Sequence, residues 1–190
     1  MLNGKNMVES ILSKINNKLK FLYRKQRFLN KDIRRLLCNS LIQPHYDFAC
    51  CSWYPLLTKN LKIRLQVSQN KCIRFCLNLN NRASIDNTKF IEINWLRVEK
   101  RYEQCVCTLI YKYYQNNVPE YIHDIFTKNM TKYNTRNSNM LKRPPCKTSK
   151  GMKAISYIGP KLWDDLPICL KQKQSISTFK HDFKRYYLTK

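Results

Sequence analysis

The residues best suited to chemistry by type and spacing are Trp163, Asp164 and Asp165. Two-metal polymerases hold Mg²⁺ with paired aspartates after an aromatic residue on a tight β-turn, so phosphoryl transfer is the reaction to weigh. The surroundings argue against it. GPKLWDDLP sets the pair between a Gly-Pro turn and Pro167, without flanking alternating strands. The two carboxylates read instead as acidic charge at the start of a short helix beginning at Pro167. Other metal centres need Cys and His clustered at ligand spacing. Of the nine cysteines, Cys50 and Cys51 are adjacent, Cys72 and Cys76 four apart, and Cys105 and Cys107 two apart. There is no Cys-x-x-Cys, and His45, His123 and His181 are scattered. No metal ligand, cofactor or catalytic residue is assigned. A Cys–His nucleophile pair would be spatial rather than sequential, and nothing singles one out.

Charge is the stronger signal. Thirty-six Lys and Arg face twelve Asp and Glu, a net +24. A compact body with that excess repels itself unless a polyanion neutralises it. Nucleic acid is the first partner to consider and an anionic membrane surface the second, against the plain reading of a soluble basic protein. Eight basic residues lie between Lys18 and Arg35, against Asp32 alone. Cations in a last helical turn suit the helix dipole, but eight exceed that need. From this segment Lys18, Lys20, Arg24, Lys25, Arg27, Arg34 and Arg35 are the phosphate-binding candidates. A second set, Lys59, Lys62, Arg64, Lys71 and Arg74, falls in a stretch with no acidic residue between Asp47 and Asp86. A third comes from residues 127–153, which hold eight basic residues and no acidic one; Arg136, Lys142 and Arg143 are its candidates. That tract reads equally as a polar linker.

The elements that must position these charges are helical. Only three glycines occur, Gly4, Gly151 and Gly159, which argues against hairpin-rich β architecture and glycine-rich phosphate loops. Val8, Ile11, Ile15, Leu19 and Leu22 recur at three- and four-residue steps and predict an amphipathic helix from Met7 to about Tyr23. Asn30 or Asp32 caps a second, to Gln43, with Leu36, Leu37 and Leu41 as its apolar stripe; Pro44 ends or kinks it. The joint PHYDFACCSWYP carries Tyr46, Phe48, Trp53 and Tyr54, read as core at a helix crossing, with base stacking as the functional alternative. Thr58 caps a third helix to about Leu77. Its apolar face is Leu61, Leu65, Cys72 and Cys76, widened by Ile63, Val67, Ile73 and Phe75. FIEIN reads as a turn or short strand, and a fourth helix starts near Arg97. Pro119 opens a short fifth. AISYIGPKLWDDLPICL reads as strand, Gly-Pro turn and short helix. Ser177 caps a last helix with Phe179, Phe183, Tyr186 and Tyr187 on one side. The expected fold class is mainly α, divided as 1–80, 81–126, 127–153 and 154–190.

Cys38, Cys72, Cys76, Cys105 and Cys107 sit in apolar-periodic runs, as small core residues do. With no apolar signal segment at MLNGKNMVES and no run near the ~18 apolar residues of a membrane span, a reducing intracellular setting without a membrane is expected.

Six motifs in order carry a resemblance: KINNKLKFLYRKQRFLN, LCNSLIQPHYDFACCSWYPLL, QNKCIRFCLNL, INWLRVEKR, YNTRNS and YIGPKLWDDLP. From about Lys14 to Leu188 the chain resembles the C-terminal part of reverse transcriptases of non-LTR (LINE-like) retrotransposons, of the jockey and chicken-repeat type. The resemblance implies that Lys14 to about Leu79 is a thumb-like helical bundle gripping an RNA or RNA–DNA template–primer. The remainder would be a C-terminal extension that helps hold RNA or target DNA. The catalytic aspartates of such enzymes lie in a palm upstream of the matched region. The implied role is therefore binding without synthesis, as a piece of an RNA-directed DNA polymerase, with the fingers and palm as further partners. The alternative is a helical module that folds only against that missing palm. Arg97 stands where relatives often have proline, and Asp164 where Asn is common; neither departure touches chemistry.

Overall fold

The computed structural model describes residues 4–128 and 140–189. As expected, the chain is mainly helical, and among the described residues the only β pairing is an isolated antiparallel bridge, Lys128 to Leu141. The helices are α1 Gly4–Arg24, α2 Lys31–Leu41, α3 Gln43–Asp47, α4 Cys50–Trp53, α5 Lys59–Leu77, α6 Asn87–Ile93, α7 Val98–Tyr114, α8 Glu120–His123, α9 Ile155–Asp164, α10 Ile168–Lys171 and α11 Ile176–Thr189. They form two compact units. The first runs to Tyr102 and takes back the end of the chain from Lys184; the second is the described part of Glu103–Phe183.

In the first unit α1 and α2 both pack on α5. The stripe expected on α1 is buried, with Leu12 added to Val8, Ile11, Ile15, Leu19 and Leu22. Thr58 caps α5 as its hydroxyl chemistry suggests, accepting from the Leu61 amide at 3.4 Å. At the other end Asn78 takes the left-handed conformation (φ 55°) that a side-chain amide tolerates. Asn30, rather than Asp32, caps α2, accepting from the Ile33 amide at 2.9 Å.

The face of α2 reverses the expectation. Leu36 is 65 % and Leu41 38 % exposed, while Arg34, Cys38 and Ile42 are buried. Both sets have helical spacing, and packing on α5 selects the smaller one because Cys38 permits close approach. On α5 itself Leu65, Cys72, Ile73, Phe75 and Cys76 are buried, but Ile63 and Val67 are exposed, so the apolar face is narrower than expected. Ser68 and Gln69 complete it. Each is hydrogen-bonded, Ser68 accepting from the Tyr46 hydroxyl and Gln69 donating to the Leu96 carbonyl at 2.8 Å.

The joint after Pro44 is core for three of its four aromatics. Tyr46, Trp53 and Tyr54 are buried, and Trp53 Nε1 donates to the Phe48 carbonyl at 2.8 Å; the Phe48 ring is exposed. Residues 87–93 form a helix, not a turn or strand. Asp86 caps it through the Lys89 amide and takes the Thr88 hydroxyl at 2.7 Å, and Phe90 and Ile93 are its buried side.

In the second unit, the segment read as strand and Gly-Pro turn is α9, with Pro160 inside it. A β-carbon on Gly159 would meet Ile110 Cδ1 and Phe126 Cε1, each at 3.1 Å, so the glycine lets α9 pack closely. That burial outweighs the hydrogen bond the proline cannot make. The start of α11 is held by Ser175, whose hydroxyl accepts from the Thr178 amide, not by Ser177. Phe179 and Phe183 are buried there, whereas Tyr186 and Tyr187 are only partly so. Cys38, Cys72, Cys76 and Cys107 are buried as expected, and Cys105 is partly exposed. No helix among the described residues is long and apolar enough to cross a membrane.

Arg34 is the central polar group of the first unit. Its guanidinium donates to the Gln26 carbonyl at 2.8 Å and to Asn78 Oδ1 at 3.0 Å, tying the α1–α2 turn to the end of α5. Arg34→Met should lower stability by about 2–3 kcal/mol in urea unfolding, since it leaves those acceptors unpaired. A change under about 0.5 kcal/mol would show that they re-pair with water.

Candidate nucleic-acid interface

Where α1 ends, the chain leaves in two overlapping tight turns: the Phe28 amide bonds the Lys25 carbonyl at 3.0 Å, and the Leu29 amide bonds the Gln26 carbonyl at 3.1 Å. Buried Leu22 and the edge of Tyr23, 5.0 Å from the Phe75 ring, fix the inner side of this exit. Gln26 Nε2 donates to Asn78 Oδ1 at 2.6 Å. With its inner residues anchored, the exit turns the others outward. Lys20, Arg24, Lys25 and Arg27 are exposed, and among the described residues no carboxylate pairs with any of them. Phe21 and Phe28 are 59 % and 68 % exposed beside them, with the Arg27 guanidinium 4.7 Å from the Phe28 ring centroid. The two aromatics were not among the expected site residues. Their signal was present: Phe21 lies off the α1 stripe, and Phe28 sits between basic residues.

The other candidates separate from this cluster by what they already touch. Lys18 Nζ donates to the Leu41 carbonyl at 3.0 Å and bonds His45 Nε2 at 2.8 Å, closing the C-terminal end of α2. Arg34 is buried in the network above, with its guanidinium donors turned to the Gln26 carbonyl and Asn78 Oδ1 rather than outward, which sets it apart from the exposed cations. Arg35 remains partly exposed, 3.5 Å from Asp32.

On α5 the expected basic face is largely spoken for. Arg64 forms a bidentate pair with Glu9 at 2.6 and 3.1 Å, and Lys62 stands 4.7 Å from the Tyr54 ring centroid. Arg74 donates to the Ala83 carbonyl at 2.9 Å. Lys59 and Lys71 are exposed. The absence of acidic residues from 48 to 85 therefore does not make α5 an open cationic surface: Glu9, a ring and a carbonyl supply the missing partners.

In the second unit Lys142 and Arg143 are exposed, Arg143 lying 3.4 Å from Asp164. Arg136 and the motif YNTRNS fall outside the described residues.

The aspartate pair holds no helix N-terminus. Asp164 ends α9, Asp165 follows it, and α10 starts without a side-chain cap. The Asp164 carbonyl accepts from Lys171 Nζ at 3.0 Å. Trp163 stacks on Tyr114 at 5.4 Å in the wall of a cleft of about 550 Å³. Burial, then the neighbouring Asp164 charge, pushes the Tyr114 hydroxyl up to about 12. Among the described residues no group of three or more His, Cys, Asp or Glu could hold a metal ion.

Two of the buried thiols, Cys38 and Cys72, are held away from the thiolate form. A hydrogen bond with Cys76, then burial, raises the Cys38 thiol far above its ordinary value, and burial followed by Cys38 raises Cys72. Both stay protonated and inert.

Compared with family models, with curated proteins and with solved structures, the chain gives no match.

His45 is half-buried beside Lys18. Burial, then the Lys18 and Lys14 charges, lowers its pKa below 6.5. The folded state holds it neutral where the unfolded chain takes up a proton. Its contribution to stability is thus complete above pH 6.5 and is lost as pH falls toward the lowered value. In an NMR pH titration the His45 ring should have its midpoint below 6.5, and a His45→Gln variant should lose less stability between pH 7 and 5 than the parent. A midpoint at or above 6.5 would contradict the Lys18–His45 geometry.

Proposed function

We propose that the chain is a nucleic-acid-holding piece of a non-LTR retrotransposon reverse transcriptase, gripping an RNA or RNA–DNA template–primer duplex and catalysing no synthesis itself. The observation that carries this reading is the α1 exit, where Lys20, Arg24, Lys25 and Arg27 project without acidic partners and Phe21 and Phe28 lie exposed among them. Exposed cations release counterions when they neutralise phosphates, which favours binding without sequence preference. Exposed aromatics add a surface on which an unpaired base can stack at a strand end. Support also comes from the net charge of +24 and from the six ordered motifs. Lys59, Lys71 and Lys142 are secondary contacts in this reading, and Arg143 a weaker one beside Asp164. Arg64 contributes little, since Glu9 engages both its terminal nitrogens.

A second reading is favoured by one observation. Ile33, Leu36 and Leu41 lie at helical spacing on the outer side of α2 and are 41 %, 65 % and 38 % exposed. Such a stripe suits a helical module completed by another polypeptide segment, which under the same resemblance would be the palm.

Replacing Lys20, Arg24, Lys25 and Arg27 together with Gln separates the two. If these residues meet phosphates, the slope of log affinity against log salt for an RNA–DNA hybrid should become shallower by about three to four. Arg64→Gln should change it by less than one. An unchanged slope in the fourfold variant, or no binding by the parent, would overturn the nucleic-acid reading. In the second reading the hybrid is not bound at all, and Leu36→Lys abolishes association with added palm sequence while leaving the fold intact.

A further inference from the structure

The first unit contains a polar cleft of about 500 Å³, within the range of small-molecule sites, about 300–1,000 Å³. Arg35 from α2, Arg101 from α7 and Lys184 from α11 share its wall. Its single carboxylate, Asp47, is engaged by Arg101 through two hydrogen bonds, one of them 2.9 Å. Arg35 is only loosely paired, 3.5 Å from the exposed Asp32 carboxylate outside the cleft, and Lys184 faces the same space. Burial, then the charges of Arg101 and Arg35, lowers the pKa of Lys184, a crowding of cations that an anion would relieve. Gln43 also lines the cleft. It is 3 % exposed, and neither amide atom has a hydrogen-bond partner. Buried amides in folded proteins are normally satisfied. Asn39 and Trp95 line the cleft as well, and the Trp95 indole donates to Asn39 Oδ1 at 2.8 Å. None of Lys20, Arg24, Lys25 and Arg27 lines this cleft.

We infer that the cleft binds a phosphomonoester, its phosphate held between Arg35 and Lys184 and a neighbouring donor–acceptor group of the same ligand met by the Gln43 amide. A phosphomonoester carries about −1.5 to −2 at neutral pH, which suits a wall where Arg35, Arg101 and Lys184 meet with Asp47 as the single lining carboxylate. A bare anion would satisfy Arg35 and Lys184 but leave the Gln43 carbonyl without a donor. A mononucleotide supplies both halves, since Gln can pair with an adenine edge through its donor and its acceptor together. The site stands independently of the duplex-binding reading, because it uses different surface.

Adenosine 5′-monophosphate is the probe, titrated calorimetrically into the full chain beside adenosine and inorganic phosphate. The nucleotide should bind more tightly than either half. Lys184→Gln and Arg35→Gln should each weaken it about tenfold or more, while Lys20→Gln leaves it unchanged. Gln43→Met fills a similar volume without polar atoms. It should keep or raise the melting temperature and remove the preference for the nucleotide over inorganic phosphate. Competition by a 5′-phosphorylated oligonucleotide beyond its 5′-hydroxyl counterpart would assign the phosphate to a strand end, and equal competition to a free small molecule. No binding of the nucleotide by the parent chain, or binding unchanged by Lys184→Gln and Arg35→Gln, would overturn the inference.

Discussion

The first unit depends on one buried cation. Arg34 carries its charge into the packing of α2 on α5 with no carboxylate beside it, in a chain whose cations outnumber its anions three to one. Its partners are oxygens of the backbone and of an amide: the Gln26 carbonyl, the Asn78 side chain and, at 3.5 Å, the Phe75 carbonyl. Phe75 and Asn78 belong to the C-terminal end of α5, where unpaired carbonyls give the helix a partial negative charge. A guanidinium there completes the helix end and needs no counter-ion. The same residue holds the α1–α2 turn, so the position of the exposed basic exit follows from the interaction that closes the core.

Excess charge is thereby divided into two populations. One is absorbed by the fold: Arg34 and Lys18 at helix C-termini, Arg74 on a loop carbonyl, Lys62 by a tyrosine ring, and Arg64, Lys31 and Arg101 by Glu9, Glu92 and Asp47. The carboxylate pairs offset charge, whereas Arg34, Lys18, Arg74 and Lys62 are held in place by neutral partners and keep theirs. The other population is left facing water, densest at the α1 exit. This second group is the one most open to exchanging its counterions for phosphates, which is why net charge alone overstates the extent of a binding surface.

The helices were legible where local chemistry is decisive. Thr58 and Asn30 sit before their helices with oxygens that can accept amide bonds, and the α1 stripe has one apolar face and no competitor. Reading failed where two answers satisfy the same local rule. On α2 the leucine stripe and the Arg34–Cys38–Ile42 stripe both have helical period, and only the close approach of α5 chooses between them. FIEIN alternates like a strand, yet Asp86 and Thr88 just before it form a cap that decides for helix. Gly159–Pro160 has turn chemistry, but burial against Ile110 and Phe126 keeps it in α9. The candidate site was legible at Lys20, Arg24, Lys25 and Arg27, whose neighbours in sequence hold no acid. It was not legible at Arg34, Arg64 or Arg74, whose partners lie eight or more residues away. The cleft joining Arg35, Gln43, Arg101 and Lys184 has no sequence signature, because three separate helices bring its cations together.

The most direct measurement of the proposed grip is amide hydrogen exchange on the whole chain, with and without an RNA–DNA hybrid duplex at low salt. Protection on binding should be largest across residues 20–28 and should fade as salt is raised, with residues 34–38 unchanged because their exchange is governed by the core. Protection confined to other segments, or a segment 20–28 that exchanges equally with and without the duplex, would contradict the assignment of the α1 exit as the nucleic-acid contact.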